Sequence, residues 1–254
     1  MFKIWIFLYQ IIRVFSQYDE SVSYKSLYLS ELTYCNHFDD CDLCSIDYVV
    51  ENKGSLAIQG FDNETNTIFT AFRGSTNLHN WIENIQVTHV SPYNENSSIL
   101  VEDGFYKNYD FLRKQLFDNL PILSDKYNTN KLLITGHSLG SSACTLFAYE
   151  LASYYTQQYD IVHFYNFGSP RVGNDIFAYD FDQKVVGYRV VHNNDIVTSV
   201  PPMKMNYAHI TKGICYNQDN SKYTECDDHS CSVTECSSDD HMYYLNITMG
   251  QNGC

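Results

Sequence analysis

The chain has 254 residues, 44% of them hydrophobic, and a formal net charge of −14, a length at which α/β folds bury one large core as a single domain. That acidity disfavours nucleic acid and strongly anionic membranes as partners and leaves neutral or zwitterionic lipid films open. No internal repeat, linker or low-complexity tract divides the sequence.

Residues 1–16, MFKIWIFLYQIIRVFS, combine Lys3, an apolar run from Ile4 to Ile12, and Val14 and Ser16 at small-residue cleavage positions. They read as a signal peptide. A membrane anchor is the weaker alternative, because Gln10 and Arg13 interrupt a run too short to span a bilayer. Cleavage would remove Lys3 and Arg13 and no acid, taking the charge from −14 to −16, and would leave residues 17–254 as the mature domain.

The segment 65–72 has strand character and delivers Arg73-Gly74-Ser75. Next, Leu78, Trp81, Ile82 and Ile85 fall at i, i+3, i+4 and i+7, the apolar stripe of a short helix whose other face carries Asn77, His79, Asn80, Glu83 and Asn84. A fixed core helix would show the same stripe. Further on, Leu132 to Ile134 form a run of buried-strand type, and Ala143, Leu146, Phe147, Leu151 and Tyr154 recur at helical spacing. Between them lies Gly136-His137-Ser138-Leu139-Gly140. A serine on a sharp strand-to-helix turn, with glycines two residues to either side allowing close approach, is a nucleophile elbow. An ordinary Gly/Ser turn is the plainer alternative. Ser138 is therefore the candidate nucleophile, with the Leu139 N–H as one oxyanion donor and Ser75 as the second.

Such a serine needs a base and an acid to orient the base. The stretch from Gly187 to Pro202 reads as a strand running into a loop with Asp195 at the strand's end; a turn-capping Asp would look the same. His192, His209, His229 and His241 lie downstream, and His163 sits in an apparent strand. Sequence physics leaves the choice of base open, because triad members meet in space and not along the chain.

Nine cysteines suit an oxidising compartment. Cys144, on the apolar helix after the elbow, reads as a buried small hydrophobe. A zinc site using the close cysteine spacings and His229 competes with disulfides toward the C-terminus. Asn63, Asn96 and Asn246 begin glycosylation sequons.

Several of these residues carry a family resemblance. Ala71-Phe-Arg-Gly-Ser75 with Asn80-Trp81-Ile82, Gly104-Phe105 with Tyr109, the elbow, Asn166-Phe-Gly-Ser-Pro-Arg-Val-Gly173, Asp195-Ile-Val with Pro201-Pro202, and Asp240-His241-Met-Tyr-Tyr-Leu245 together resemble the secreted class 3 lipases. The likeness runs from Tyr34 to Cys254. It implies an α/β-hydrolase fold, with a central mostly parallel sheet flanked by helices and a short helical lid built from Leu78, Trp81, Ile82 and Ile85. It implies the triad Ser138, Asp195 and His241, with Ser75 contributing its N–H and its hydroxyl to the oxyanion hole. His209 then matches a non-catalytic family histidine, while His192 and His229 are read as solvated or structural and Arg73 as a loop anchor. The resemblance also implies bridges Cys35–Cys254 and Cys41–Cys44, leaving Cys215, Cys226, Cys231 and Cys236 with three pairings open. Two departures stand out: Ser141 follows the elbow where a smaller residue is usual, and Glu102 replaces a histidine two residues before Gly104-Phe105.

The activity so implied is that of a secreted serine ester hydrolase acting on acylglycerols at a lipid–water interface, without metal or organic cofactor. Phospholipase A1 and, less favoured, a feruloyl-type esterase are alternatives within the same chemistry. A catalytically silent lipid-binding protein is the alternative outside it, since fold does not fix function.

Overall fold

The computed structural model describes residues 17–35, 41, 44–85, 87–93, 96–226, 231 and 236–254; residues 1–16, expected to be a signal peptide, and His229 lie outside these. Helix α1 (Glu20–Leu32) precedes the antiparallel strands β1 (Cys44–Asn52), β2 (Ser55–Asp62) and β3 (Thr67–Phe72). The short helix α2 (Leu78–Asn84) and a two-stranded ribbon, β4 (His89–Val90) with β5 (Val101–Glu102), lead into the long helix α3 (Asp103–Tyr127). There follow β6 (Lys131–His137), α4 (Leu139–Tyr154), β7 (Asp160–Phe167), α5 (Asp175–Lys184), β8 (Tyr188–His192), β9 (Lys212–Tyr216) and β10 (Tyr223–Cys226). A four-residue helix α6 (Ser238–His241) and a second ribbon, β11 (Tyr243–Tyr244) with β12 (Ile247–Thr248), complete the described chain.

Eight strands form one sheet in the order β1-β2-β3-β6-β7-β8-β9-β10. The central pairings from β3 through β9 are parallel, and the flanking ones antiparallel. This is the mostly parallel sheet of an α/β-hydrolase fold. Parallel strands in such sheets are covered on both faces, and β3 and β8 are buried along their whole length, the polar Thr70, Arg189 and His192 included. On one face α3, α4 and α5 pack the larger core, in which Phe72, Phe105, Leu116, Ile134, Phe147 and Phe177 are 0–1% exposed. On the other, α1 approaches β6 so closely that Ser30 Oγ lies 2.9 Å from Thr135 Oγ1.

The helix ends follow from capping. Glu102, the residue that departs from the resemblance, is the N-cap of α3, its Oε2 accepting the Phe105 N–H at 2.6 Å. Asn128 ends that helix in the left-handed conformation, φ 49° and ψ 44°. Arg113 of α3 donates to the buried Glu150 of α4 at 2.6 Å, locking the two helices together. No helix of the described residues is long and apolar enough to cross a membrane.

Disulfides join Cys35 to Cys254 and Cys41 to Cys44, and Cys144 is a buried free thiol. Among the remaining four, the structure joins Cys215 to Cys231 and leaves Cys226 and Cys236 as thiols, so one bridge forms where two were expected. Cys226, across the β9–β10 hairpin, also comes within 3.3 Å of Cys215 Sγ. Two partners thus compete for one sulfur. With Cys215 and Cys231 joined, a single thiol is left in that cluster to act as a metal ligand.

Candidate active site

The candidate residues gather at the C-terminal ends of the parallel strands, where open α/β sheets bind ligands. Strand β3 delivers Ser75, β6 delivers Ser138, and β8 runs into the loop holding Asp195. Ser138 adopts φ 60° and ψ −129°, a conformation costing a residue with a Cβ about 1–3 kcal/mol. Packing enforces it: a Cβ on Gly136 would meet the Gly140 carbonyl oxygen at 2.4 Å, and one on Gly140 the Phe72 oxygen at 2.2 Å. Strand, turn and helix are therefore in backbone contact, which is the steric demand read from the sequence. Ser141, the other departure, secures the turn, its Oγ lying 2.7 Å from both the Gly136 and the Phe167 carbonyl oxygens.

Asp195 and His241 meet although 46 residues separate them, with Nδ1 of the imidazole 2.9 and 2.8 Å from the two carboxylate oxygens. Both are wholly buried. The carboxylate further accepts the Val197 N–H at 2.8 Å and the hydroxyl of Tyr244. Burial alone would raise the Asp195 pKa, but the His241 charge and these hydrogen bonds outweigh it and hold the group below its ordinary value. Stability from this depressed carboxylate is present above the unfolded Asp pKa near ~3.9 and is lost as pH falls through the lower folded value. Burial and the adjoining carboxylate push the Tyr244 phenol well upward, so it remains a donor. Gly168, at φ +56°, carries the backbone beneath this pair; a Cβ there would meet Asp195 Oδ2 at 2.7 Å and the imidazole Cε1 at 2.8 Å.

The outer imidazole nitrogen, Nε2 of His241, and the hydroxyl of Ser138 are both buried and without a hydrogen-bond partner. Unpaired buried polar atoms are costly and rare, and here they belong to the candidate nucleophile and the candidate base. Leu139 opens α4, so its N–H has no carbonyl within the helix to bond and lies at the positive end of the dipole. Ser75 Oγ accepts the Asn77 N–H at 3.1 Å.

Helix α2 carries Leu78, Trp81 and Ile82 of the expected stripe but ends at Asn84, so that Ile85 is its non-helical C-cap; all four stripe residues are half-buried. Asn77 caps it by accepting the Asn80 N–H at 3.1 Å. The stripe is divided between two cavities. Leu78 and Ile82 face one of about 650 Å³ that includes Ser75, Ile196 and Met242. Trp81 and Ile85 face another of about 430 Å³ that includes Leu139 and Phe105, with Trp81 stacked on Phe105 at 6.1 Å. Each cavity is thus lined both by part of the stripe and by one of the candidate oxyanion donors.

The family model for class 3 lipases matches residues 69–205, more than half of the chain. The chain belongs to the class 3 lipase family. A secreted mono- and diacylglycerol lipase A of Penicillium cyclopium is 28% identical over 163 residues, covering 64% of this chain and 51% of that protein. A lipase of Rhizomucor miehei is 27% identical over 197 residues, covering 72% and 53%. A solved triacylglycerol lipase, described as having a serine protease triad as its catalytic centre, superimposes with a TM-score of 0.80 at 26% identity, over 91% of this chain and 96% of that one. The chain spans about half the length of the curated relatives it matches.

Two other candidate histidines of this class 3 lipase domain are engaged in hydrogen bonds to main-chain carbonyls. Buried His209 has Nε2 2.9 Å from the Thr198 carbonyl oxygen, bracing the loop after Asp195. His192 is buried rather than solvated, its Nδ1 3.0 Å from the Asp240 carbonyl oxygen, and His163 is half-buried in β7. Arg73 donates to the Gly54 carbonyl at 2.9 Å, a structural anchor. Asn63, Asn96 and Asn246 are all exposed. Sequence reasoning assigned no role to Tyr244, Gly168 or Tyr34. The first two lie inside motifs already singled out, and Tyr34 stands beside Cys35.

Proposed function

We propose that the chain is a secreted serine carboxylic-ester hydrolase acting on acylglycerols. The observation that carries this reading is a serine held in a strained strand-to-helix turn with its hydroxyl unpaired, in a protein whose buried Asp–His couple also has its outer nitrogen unpaired. Ser138 Oγ attacks the ester carbonyl while His241 Nε2 takes its proton. Asp195 holds the imidazole in the Nδ1–H tautomer and stabilises the imidazolium. The N–H of Leu139, with the N–H and hydroxyl of Ser75, receives the oxyanion. His241 returns the proton to the departing alcohol, then draws one from water to release the acid and free Ser138.

Acylglycerols are favoured because the relatives are named as mono-, di- and triacylglycerol lipases. Export follows from reading 1–16 as a cleaved leader and the exposed sequons as glycan acceptors, and agrees with relatives named as secreted. A serine-directed phosphonate should label Ser138 stoichiometrically. The purified mature protein, given tri- and diacylglycerols, phospholipids and feruloyl esters, should prefer the acylglycerols. A protein that no phosphonate labels would be the silent lipid binder, and preference for phospholipids would make it a phospholipase.

Helix α2 acts as a lid in this reading, its opening exposing the apolar stripe to a lipid surface with Trp81 as anchor. Activity on a sparingly soluble ester should rise steeply once the substrate exceeds its solubility. Trp81→Ala should blunt that rise more than it slows hydrolysis of a dissolved short-chain ester. Equal losses on both substrates would mark α2 as fixed core.

A further inference from the structure

Behind the candidate triad lies a second buried histidine that the chemistry does not use. His137, the residue before the nucleophile, is wholly buried, with Nδ1 2.8 Å from the Tyr34 hydroxyl and Nε2 2.9 Å from the main-chain carbonyl oxygen of His241. A carbonyl only accepts, so Nε2 carries the proton and Nδ1 is a lone pair. The Tyr34 hydroxyl must then donate to Nδ1, and its oxygen accepts the N–H of Gly74. Each direction is forced. The result is one oriented chain, Gly74 N–H to Tyr34 O–H to His137 Nδ1, then Nε2–H to the His241 carbonyl.

We propose that Tyr34 and His137 are positioning residues that hold the base-bearing turn against the elbow and the oxyanion loop. The inference rests on the reading of Ser138, Asp195 and His241 as a triad. Its physical basis is that α6 has four residues, too few for a helix to fix its own orientation. Three separate loops must therefore be tied from outside. The chain does this by joining Gly74, next to Ser75; His137, next to Ser138; and the peptide plane that sets the Cα–Cβ direction of His241. Fixing reacting groups to within a fraction of an ångström is where much of catalytic rate resides.

The same histidine is suited to lie beside a charge that appears and disappears. Its ring stacks on the His241 imidazole with centroids 4.5 Å apart and planes at 28°. The groups around it are Tyr34, His241, Tyr244 and Asp195. Burial, reinforced by the neighbouring His241 charge, drives the His137 pKa down to about 3. It stays neutral while His241 becomes imidazolium, and keeps the lone pair that Tyr34 needs. Burial likewise raises the Tyr34 phenol, which remains a donor throughout.

The test compares wild type, Tyr34→Phe, His137→Phe and His137→Gln on a dissolved short-chain ester, with active sites counted by phosphonate titration. Per titrated site, Tyr34→Phe should lower kcat about 10-fold and leave KM within about twofold, the signature of lost alignment rather than lost binding. His137→Phe should cost more, about 30-fold or beyond, and should make the Tyr34→Phe effect disappear in the double variant, since the two act through one chain. His137→Gln, which keeps an N–H near the Nε2 position, should recover most of the loss. If folded, fully titrating Tyr34→Phe retains wild-type kcat, or if the two substitutions act independently, the proposal is overturned. A wild type that neither titrates nor hydrolyses would instead overturn the triad reading.

Discussion

Ser138→Ala and His241→Ala should each reduce ester hydrolysis by about 10⁴-fold or more without unfolding the protein. Removing the hydroxyl deletes the proposed nucleophile yet deprives no other group of a partner, since Ser138 Oγ makes no hydrogen bond. His241→Ala leaves the Asp195 carboxylate with the Val197 N–H and the Tyr244 hydroxyl, so the buried charge keeps two donors. Combining the two substitutions should cost little more than either alone, because the groups act as a unit. His209→Ala serves as the comparison. It removes a brace on the Thr198 carbonyl and should lower the melting temperature while sparing most of the activity. Equal losses of kcat in folded His209→Ala and His241→Ala would reassign the base.

Opening the Cys35–Cys254 bridge should destabilise the fold by roughly 5 kcal/mol, and the melting temperature should fall by roughly 10 °C or more. The bridge closes a loop with a sequence separation of 219, so in the chain-entropy model it removes more freedom from the unfolded chain than a short bridge does. Cys41–Cys44, with a separation of 3, should contribute far less. Calorimetry of Cys35→Ser/Cys254→Ser against Cys41→Ser/Cys44→Ser separates the two effects, and non-reducing peptide mapping should recover Cys35 joined to Cys254. Finding Cys35 as a free thiol, or equal destabilisation by both pairs of substitutions, would contradict this account.

What the sequence made legible is what local sterics dictate. The elbow could be read because its glycines and serine are neighbours along the chain, and β3, β6 and β8 because each strand buried on both faces has an apolar or β-branched stretch at its centre. The identity of the base could not be read this way. Four histidines followed Asp195 or lay near it, and only likeness to a family singled out His241, which the structure places against Asp195. Helix α1 left no pattern at all, because the face it turns to the sheet carries Ser23, Ser26 and Ser30, all wholly buried. Small polar residues let it lie close to β6, and they erase the apolar stripe that marks a helix in sequence. Tyr34 and Tyr244 were invisible for another reason. In a chain with 22 tyrosines, nothing local distinguishes one that bonds a buried histidine or carboxylate from one that fills space.

The backbone of Ser138 sets the most stable protein apart from the most active one. Glycine tolerates φ 60° with ψ −129° where serine is strained, so Ser138→Gly should raise the melting temperature as it abolishes hydrolysis. A screen of position 138 for thermal resilience alone would discard the native residue. The turn is therefore held tenser than glycine would leave it, and the excess is stored at the residue proposed to form the first bond of the reaction.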